Sequence, residues 1–163
     1  MKKSKWILLV DDDPPTAELT TLALAPEELA CDVIVARDGL EALDCLYRRG
    51  EFQGRDRSQP AFVLLDLKMP KMDGLEVLQQ IKSDARFKNI PVVMFTSSSE
   101  PTDVSRSYEL GANAYVVKPA DFPKFNETLK RVGCFWGALN VLPPQAMFAE
   151  TETRDRPRLA AAI

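Results

Sequence analysis

The sequence predicts an α/β fold, a three-layer α/β/α sandwich around a five-stranded parallel sheet. Three observations carry this. Five short apolar runs are continuous rather than alternating, the pattern of strands covered on both faces. Between the runs, apolar residues recur at three- and four-residue steps, the period of amphipathic helices. Strands that alternate with helices need right-handed crossovers, which lay the helices on both faces of one sheet.

Taken in order, the first strand is Ile7-Leu8-Leu9-Val10, closed by Asp11-Asp12-Asp13. Asp13 stands before a helix start and reads as its cap. The second strand is Val33-Ile34-Val35, followed by a helix with Leu40, Leu43 and Tyr47 on one face and Asp38-x-x-Glu41 as its N-terminal capping pair. The stretch from Glu51 to Gln59 is a long polar loop, expected to be mobile surface. Phe62-Val63-Leu64-Leu65 is the third strand, and Asp73-x-x-Glu76 caps a helix carrying Leu75, Leu78 and Ile81. Val92-Val93-Met94-Phe95 and Tyr115-Val116-Val117 are the fourth and fifth strands. The last helix carries Phe122, Phe125, Leu129, Val132 and Trp136. Residues 1–137 form the predicted domain, 138–149 a C-terminal extension and candidate dimer contact, and 150–163 a polar, alanine-rich tail expected to be disordered.

A chain of 163 residues holds one core and leaves no room for a second folded module. Its net charge of -3 gives no general attraction to nucleic acid or anionic lipid. The basic start and the apolar run Trp6 to Val10 are too short for a signal peptide or membrane span, so a cytoplasmic protein is expected, with neither nucleic acid nor membrane as partner. Cys31, Cys45 and Cys134 are odd in number and widely spaced, which reads as buried small apolar residues rather than disulfides or a zinc site. The absence of histidine excludes Ser-His-Asp and Cys-His catalysis, a His-based zinc centre and a phosphohistidine on this chain. Any metal must be held by oxygen.

In four of the five strands the residue after the last apolar position is polar: Asp11, Asp66, Thr96 and Lys118. In a parallel sheet those positions share the C-terminal edge, where open α/β folds build their sites. Asp12 adds a third carboxylate. Each residue alone reads as a cap, a turn residue or a solvated lysine; the shared edge makes them a site. Carboxylates this close raise one another's pKa unless a cation sits among them, and Mg²⁺, which prefers oxygen, fits. Asp66, on the central strand, is then a candidate nucleophile toward phosphorus, with Lys118 and Thr96 contacting the equatorial oxygens.

The chain resembles the receiver domains of two-component response regulators. The resemblance rests on Val10-Asp11-Asp12-Asp13-Pro14, Leu65-Asp66-Leu67-Lys68-Met69-Pro70-Lys71-Met72-Asp73-Gly74, Thr96-Ser97 and Lys118-Pro119, and covers about Lys5 to Trp136. It implies the flavodoxin-like strand order 2-1-3-4-5, phosphorylation of Asp66 by a sensor histidine kinase, and no turnover enzyme beyond the domain's own phosphorylation and dephosphorylation. It further implies that Asp12 and Asp66 bind Mg²⁺ directly, that Asp11 helps through water and that Lys68 adds its backbone carbonyl. A cis peptide at Lys118-Pro119 is also implied. A narrower resemblance, through Thr96-Ser97-Ser98-Ser99, Arg106 to Tyr115, Lys118 to Phe122, Phe135-Trp136 and Leu142-Pro143-Pro144, is to single-domain regulators that partner phytochrome histidine kinases. These tend to form homodimers through the fourth helix, fifth strand, fifth helix and C-terminal extension.

Two residues keep two readings. Tyr115 is either the aromatic that swings inward when Thr96 engages the phosphoryl group or a packed tyrosine with its hydroxyl satisfied. Trp136 continues the apolar stripe of the last helix and reads as core on that ground, but Phe135 lies about a quarter-turn away and cannot share its narrow face, so the two adjacent aromatics, Phe135 and Trp136, also read as an interface. Two rival functions remain open. An aspartate-nucleophile phosphatase would carry a second acid two residues after the nucleophile, where this chain has Lys68. A receiver fold without the chemistry, or a receiver served by a non-phytochrome hybrid kinase, would keep the same sequence framework.

Overall fold

The computed structural model describes residues 4–25, 29–55 and 58–144. The elements are β1 (Lys5–Val10), α1 (Pro14–Ala23), β2 (Cys31–Ala36), α2 (Gly39–Tyr47), β3 (Phe62–Leu65), α3 (Gly74–Ser83), β4 (Val92–Thr96), α4 (Pro101–Glu109), β5 (Ala114–Val117) and α5 (Phe122–Gly133). The strands form one parallel sheet in the order β2-β1-β3-β4-β5, as expected.

Alternate residues of each strand face opposite layers. Leu8, Val10, Val63, Leu65 and Met94 pack with Leu43, Leu46, Val77, Leu78 and Ile81 of α2 and α3. Ile7, Leu9, Leu64, Val93 and Phe95 pack with Ala17, Leu24, Phe125, Leu129 and Val132 on the α1 and α5 side. Both faces are therefore filled, which is why the strands read as unbroken apolar runs. The register sets Val10 beside Leu65, Leu65 beside Met94 and Thr96 beside Val117, so the strand ends line up along one edge.

Three predicted caps form. The Asp13 carboxylate accepts from the Thr16 amide at 3.1 Å, Asp38 accepts from the Glu41 amide at 2.8 Å, and Asp73 and Glu76 close a full capping box. Each such cap stabilises its helix by about 1 kcal/mol.

Several expectations are corrected. Leu40 and Phe122 are exposed, because the apolar stripes of α2 and α5 are narrower than the sequence pattern. Cys45 is buried and Cys31 half-buried, but Cys134 is exposed where α5 passes into a π-helical segment, Cys134–Leu139, that turns the side chain outward. The loop after α2 is tied down: Gly50–Phe52 makes a 3-10 turn, the Arg55 guanidinium stacks 5.2 Å from the Trp6 ring, and the Trp6 indole donates to the Ser58 carbonyl at 3.2 Å. Asp56 and Arg57 lie outside the described residues. The Lys118-Pro119 bond is trans, the form that a prolyl bond favours by about 0.5–1 kcal/mol.

Beyond α5 the chain stays packed. The Lys5 ammonium donates to the Gly137 carbonyl at 3.1 Å, and Leu142 rests against the core. The remainder of the predicted extension and the predicted tail lie outside the described residues. Among the described residues, no helix is long and apolar enough to cross a membrane.

Candidate functional site

The β3–α3 connection brings Asp66 to the sheet edge. The Asp66 amide donates to the Val10 carbonyl at 2.9 Å, and the Gly74 amide returns to the Leu67 carbonyl at 2.7 Å. A Cβ on Gly74 would sit 2.1 Å from the Asp66 carbonyl oxygen, so the close return of α3 requires glycine. Just after β5 the Lys118 amide donates to the Thr96 carbonyl at 2.7 Å, which holds the lysine beside the end of β4.

Of the five residues that the sequence placed on one edge, Asp11, Asp12, Asp66 and Lys118 meet, and Thr96 lines the cleft beside Asp66. The Lys118 ammonium lies 2.8 Å from Asp11 Oδ2 and 3.4 Å from Asp66 Oδ2, with all three side chains largely or wholly buried. Asp11 Oδ1 accepts from the Asp13 amide at 2.9 Å, and Asp66 Oδ1 from the Leu67 amide at 2.8 Å. Asp12 is exposed, yet ligand oxygens of Asp11, Asp12 and Asp66 lie within 4.8 Å of one another. Burial pushes the Asp66 carboxyl above its ordinary range, the Lys118 ammonium opposes that, and the Asp11 carboxylate adds to it. One ammonium against three carboxylates leaves net negative charge at an opening to solvent. An all-oxygen donor set of that charge suits a hard divalent cation.

The Thr96 hydroxyl, buried at the end of β4, accepts from the Ser98 amide at 3.3 Å. An open cleft of 420 Å³ beside it is lined by Asp66, Lys68, Thr96, Ser97, Ser98, Ser99 and Glu100. The Tyr115 hydroxyl donates to the Ser98 carbonyl at 2.8 Å, so it is satisfied at the rim of the cleft rather than in the core. Phe135 and Trp136 lie far along the chain from this edge. Their rings meet edge to face at 4.9 Å; Trp136 packs against the core and Phe135 is exposed.

Sequence reasoning missed Ser98 and Asp103. The Ser98 hydroxyl donates to Asp103 Oδ2 at 2.5 Å and accepts from the Glu100 amide at 3.3 Å. Three adjacent serines carry no periodicity that singles one out.

The response regulator receiver domain family matches residues 7–130. Response regulator Rcp1 of Synechocystis is 37% identical over 139 residues, covering 85% of this chain and 93% of that protein. Its Mn²⁺-bound form has been solved and superposes with a TM-score of 0.79, covering 86% of this chain and 99% of that one. The phosphorylated cyanobacterial phytochrome response regulator RcpA is 38% identical with a TM-score of 0.81, covering 87% of this chain and 100% of that one. The bacteriophytochrome response regulator AtBRR is 52% identical with a TM-score of 0.68, covering 85% and 99%. With the expected strand order and the aspartate cluster at the sheet edge, the match establishes that this chain belongs to the response-regulator receiver domain family of two-component signalling.

Proposed function

We propose that the chain accepts a phosphoryl group on Asp66 from the phosphohistidine of a bacterial phytochrome kinase and passes the signal on by protein contact. The observation that carries this is the Lys118 ammonium bridging Asp11 and Asp66 beside an open cleft. The phytochrome assignment rests on likeness to RcpA and AtBRR.

In the transfer, an Asp66 carboxylate oxygen bonds to phosphorus as the P–N bond of the donor breaks. The electron pair stays on the imidazole nitrogen, and the ring leaves neutral with its other nitrogen protonated. Asp11, Asp12, Asp66 and the Lys68 carbonyl would hold Mg²⁺, which supplies charge neutralisation at the phosphoryl oxygens. Lys118 adds a fixed ammonium, already oriented by Asp11. Thr96 offers its hydroxyl from the rim, and Tyr115 follows the rearrangement of that loop. The population of the two loop states then sets the surface formed by α4, β5 and α5. That surface, with Phe135, Trp136 and the C-terminal extension, is the proposed homodimer contact.

Acetyl phosphate with Mg²⁺ tests the chemistry. The chain should take label and Asp66→Asn should take none; equal labelling of the two would remove Asp66 as the acceptor. Phosphotransfer from a purified phytochrome kinase, compared with other sensor kinases, tests the partner.

A further inference from the structure

Helix α4 begins without an ordinary cap. Glu100, at its N-cap position, makes no side-chain bond to the first turn. The Ser98 hydroxyl takes over from two residues before it: it accepts from the Glu100 amide and donates to Asp103 Oδ2 at 2.5 Å, a short charge-assisted bond. The same residue faces the cleft on its other sides. Its amide donates to the Thr96 hydroxyl oxygen at 3.3 Å, and its carbonyl accepts from Tyr115 at 2.8 Å. Ser98 therefore uses its amide, carbonyl and hydroxyl on Thr96, Tyr115 and α4 respectively.

We infer that Ser98 is a positioning residue whose hydroxyl bond to Asp103 latches the first turn of α4 to the cleft loop, so that a displacement at Thr96 is delivered to the α4 surface. The inference rests on the proposed phosphorylation of Asp66 for its trigger. The latch itself is a property of the unphosphorylated chain. When the Thr96 hydroxyl turns to a phosphoryl oxygen, the Ser98 amide follows its acceptor. With the latch closed, Asp103 and the first turn must follow Ser98. Below that turn, the buried Ser107 hydroxyl holds the Asp103 carbonyl at 2.8 Å, so movement at Asp103 is passed into the helix rather than absorbed at its end.

Asp103→Ala removes the acceptor, and Asp103→Asn keeps an oxygen for Ser98 while removing the charge. A role confined to the helix dipole would be lost equally in both. Amide exchange across residues 102–109 is measured before and after acetyl phosphate with Mg²⁺, with Asp66 labelling followed in parallel. Without phosphorylation, Asp103→Ala should exchange at least fivefold faster at the first-turn amide of Val104, which donates to the Glu100 carbonyl at 3.1 Å, and Asp103→Asn within twofold of the parent chain. On phosphorylation the parent and Asp103→Asn should change their α4 exchange several-fold and Asp103→Ala by less than twofold, while Asp66 labels at a similar rate in all three. Ser98→Thr, which keeps the hydroxyl, should retain the response. Equal first-turn exchange in Asp103→Ala and the parent, or equal losses in Asp103→Ala and Asp103→Asn, would overturn the latch. If Asp66 takes no label in any form, the proposed function fails, and the first-turn exchange rates still decide the latch.

Discussion

Asp11, Asp12 and Asp66 crowd three carboxylates around one ammonium, and the three differ in what their loss would do. Asp11 is buried against Lys118, so removing it leaves a buried cation with only the longer 3.4 Å contact to Asp66. Asp12 is exposed and forms no ion pair with Lys118, so Asp12→Asn relieves repulsion at little cost. In a chelator the variant should melt slightly above the parent, by an amount within about 1 kcal/mol. Saturating Mg²⁺ should raise the melting temperature of the parent, because a cation that binds only the folded chain stabilises it by mass action, and should raise that of Asp12→Asn much less. An equal Mg²⁺ effect in both would remove Asp12 from the ligand set. Gly74 makes a different kind of demand. Its Cβ would meet backbone at 2.1 Å rather than the flexible end of a side chain, so Gly74→Ala must shift either α3 or the end of β3. A loss of about 3 kcal/mol in urea unfolding is expected, with Asp66 labelling slowed; a fully stable, normally labelling variant would contradict this account.

At the scale of elements, the ends of α2 and α3 are joined by a polar cluster. Asp84 Oδ1 accepts from the Arg86 amide at 2.9 Å and from Arg86 Nε at 3.0 Å, while Oδ2 accepts from Arg86 Nη2 at 2.7 Å and from the Tyr47 hydroxyl at 2.8 Å. Hydrogen bonding from Arg86 is the main cause holding the Asp84 carboxyl down at about 2. Because the folded value lies below the ordinary 3.8, the bonded carboxylate stabilises the fold above that pH, and the stabilisation is lost as pH falls from about 4 toward 2. Asp84→Asn should therefore cost about 2 kcal/mol at pH 6 and little at pH 2, measured by urea unfolding at each pH. A deficit unchanged across that range would show that the charge plays no part. This cluster was not legible in the sequence, because Tyr47, Asp84 and Arg86 meet through a tertiary contact with no period to announce it. The strands were legible for the opposite reason. Burial on both faces forces a continuous apolar run, and the polar residue that ends each run falls on a common edge. Asp11, Asp66, Thr96 and Lys118 were found that way, whereas the Ser98–Asp103 bond depends on a loop path that no pattern encodes. The helix stripes were overread at Leu40 and Phe122, since three- and four-residue spacing marks a face but not its width.

At the scale of the whole molecule, exposed apolar side chains occur on several helices, and three of them follow one another closely at the end of the described chain. Phe135 is 49% exposed, Leu139 67% and Val141 91%, while Trp136 between them is partly buried against the core. The last helix thus anchors itself with one aromatic and presents the other. Burying such side chains against a second copy would remove apolar surface from water at about 25 cal/mol per Å², with Trp136 already fixing the segment so that little ordering is required on association. If this face is the dimer contact, the parent chain should sediment at micromolar concentration near twice its 18.2 kDa mass. Phe135→Asp places a charge in that contact and should shift the chain to a monomer. Because Phe135 touches Trp136 only through a ring edge at 4.9 Å, the same variant should keep its melting temperature within a few degrees when measured under monomeric, dilute conditions. A parent chain that sediments only at 18.2 kDa would overturn the homodimer, and a Phe135→Asp variant that remains dimeric would move the contact elsewhere on the surface.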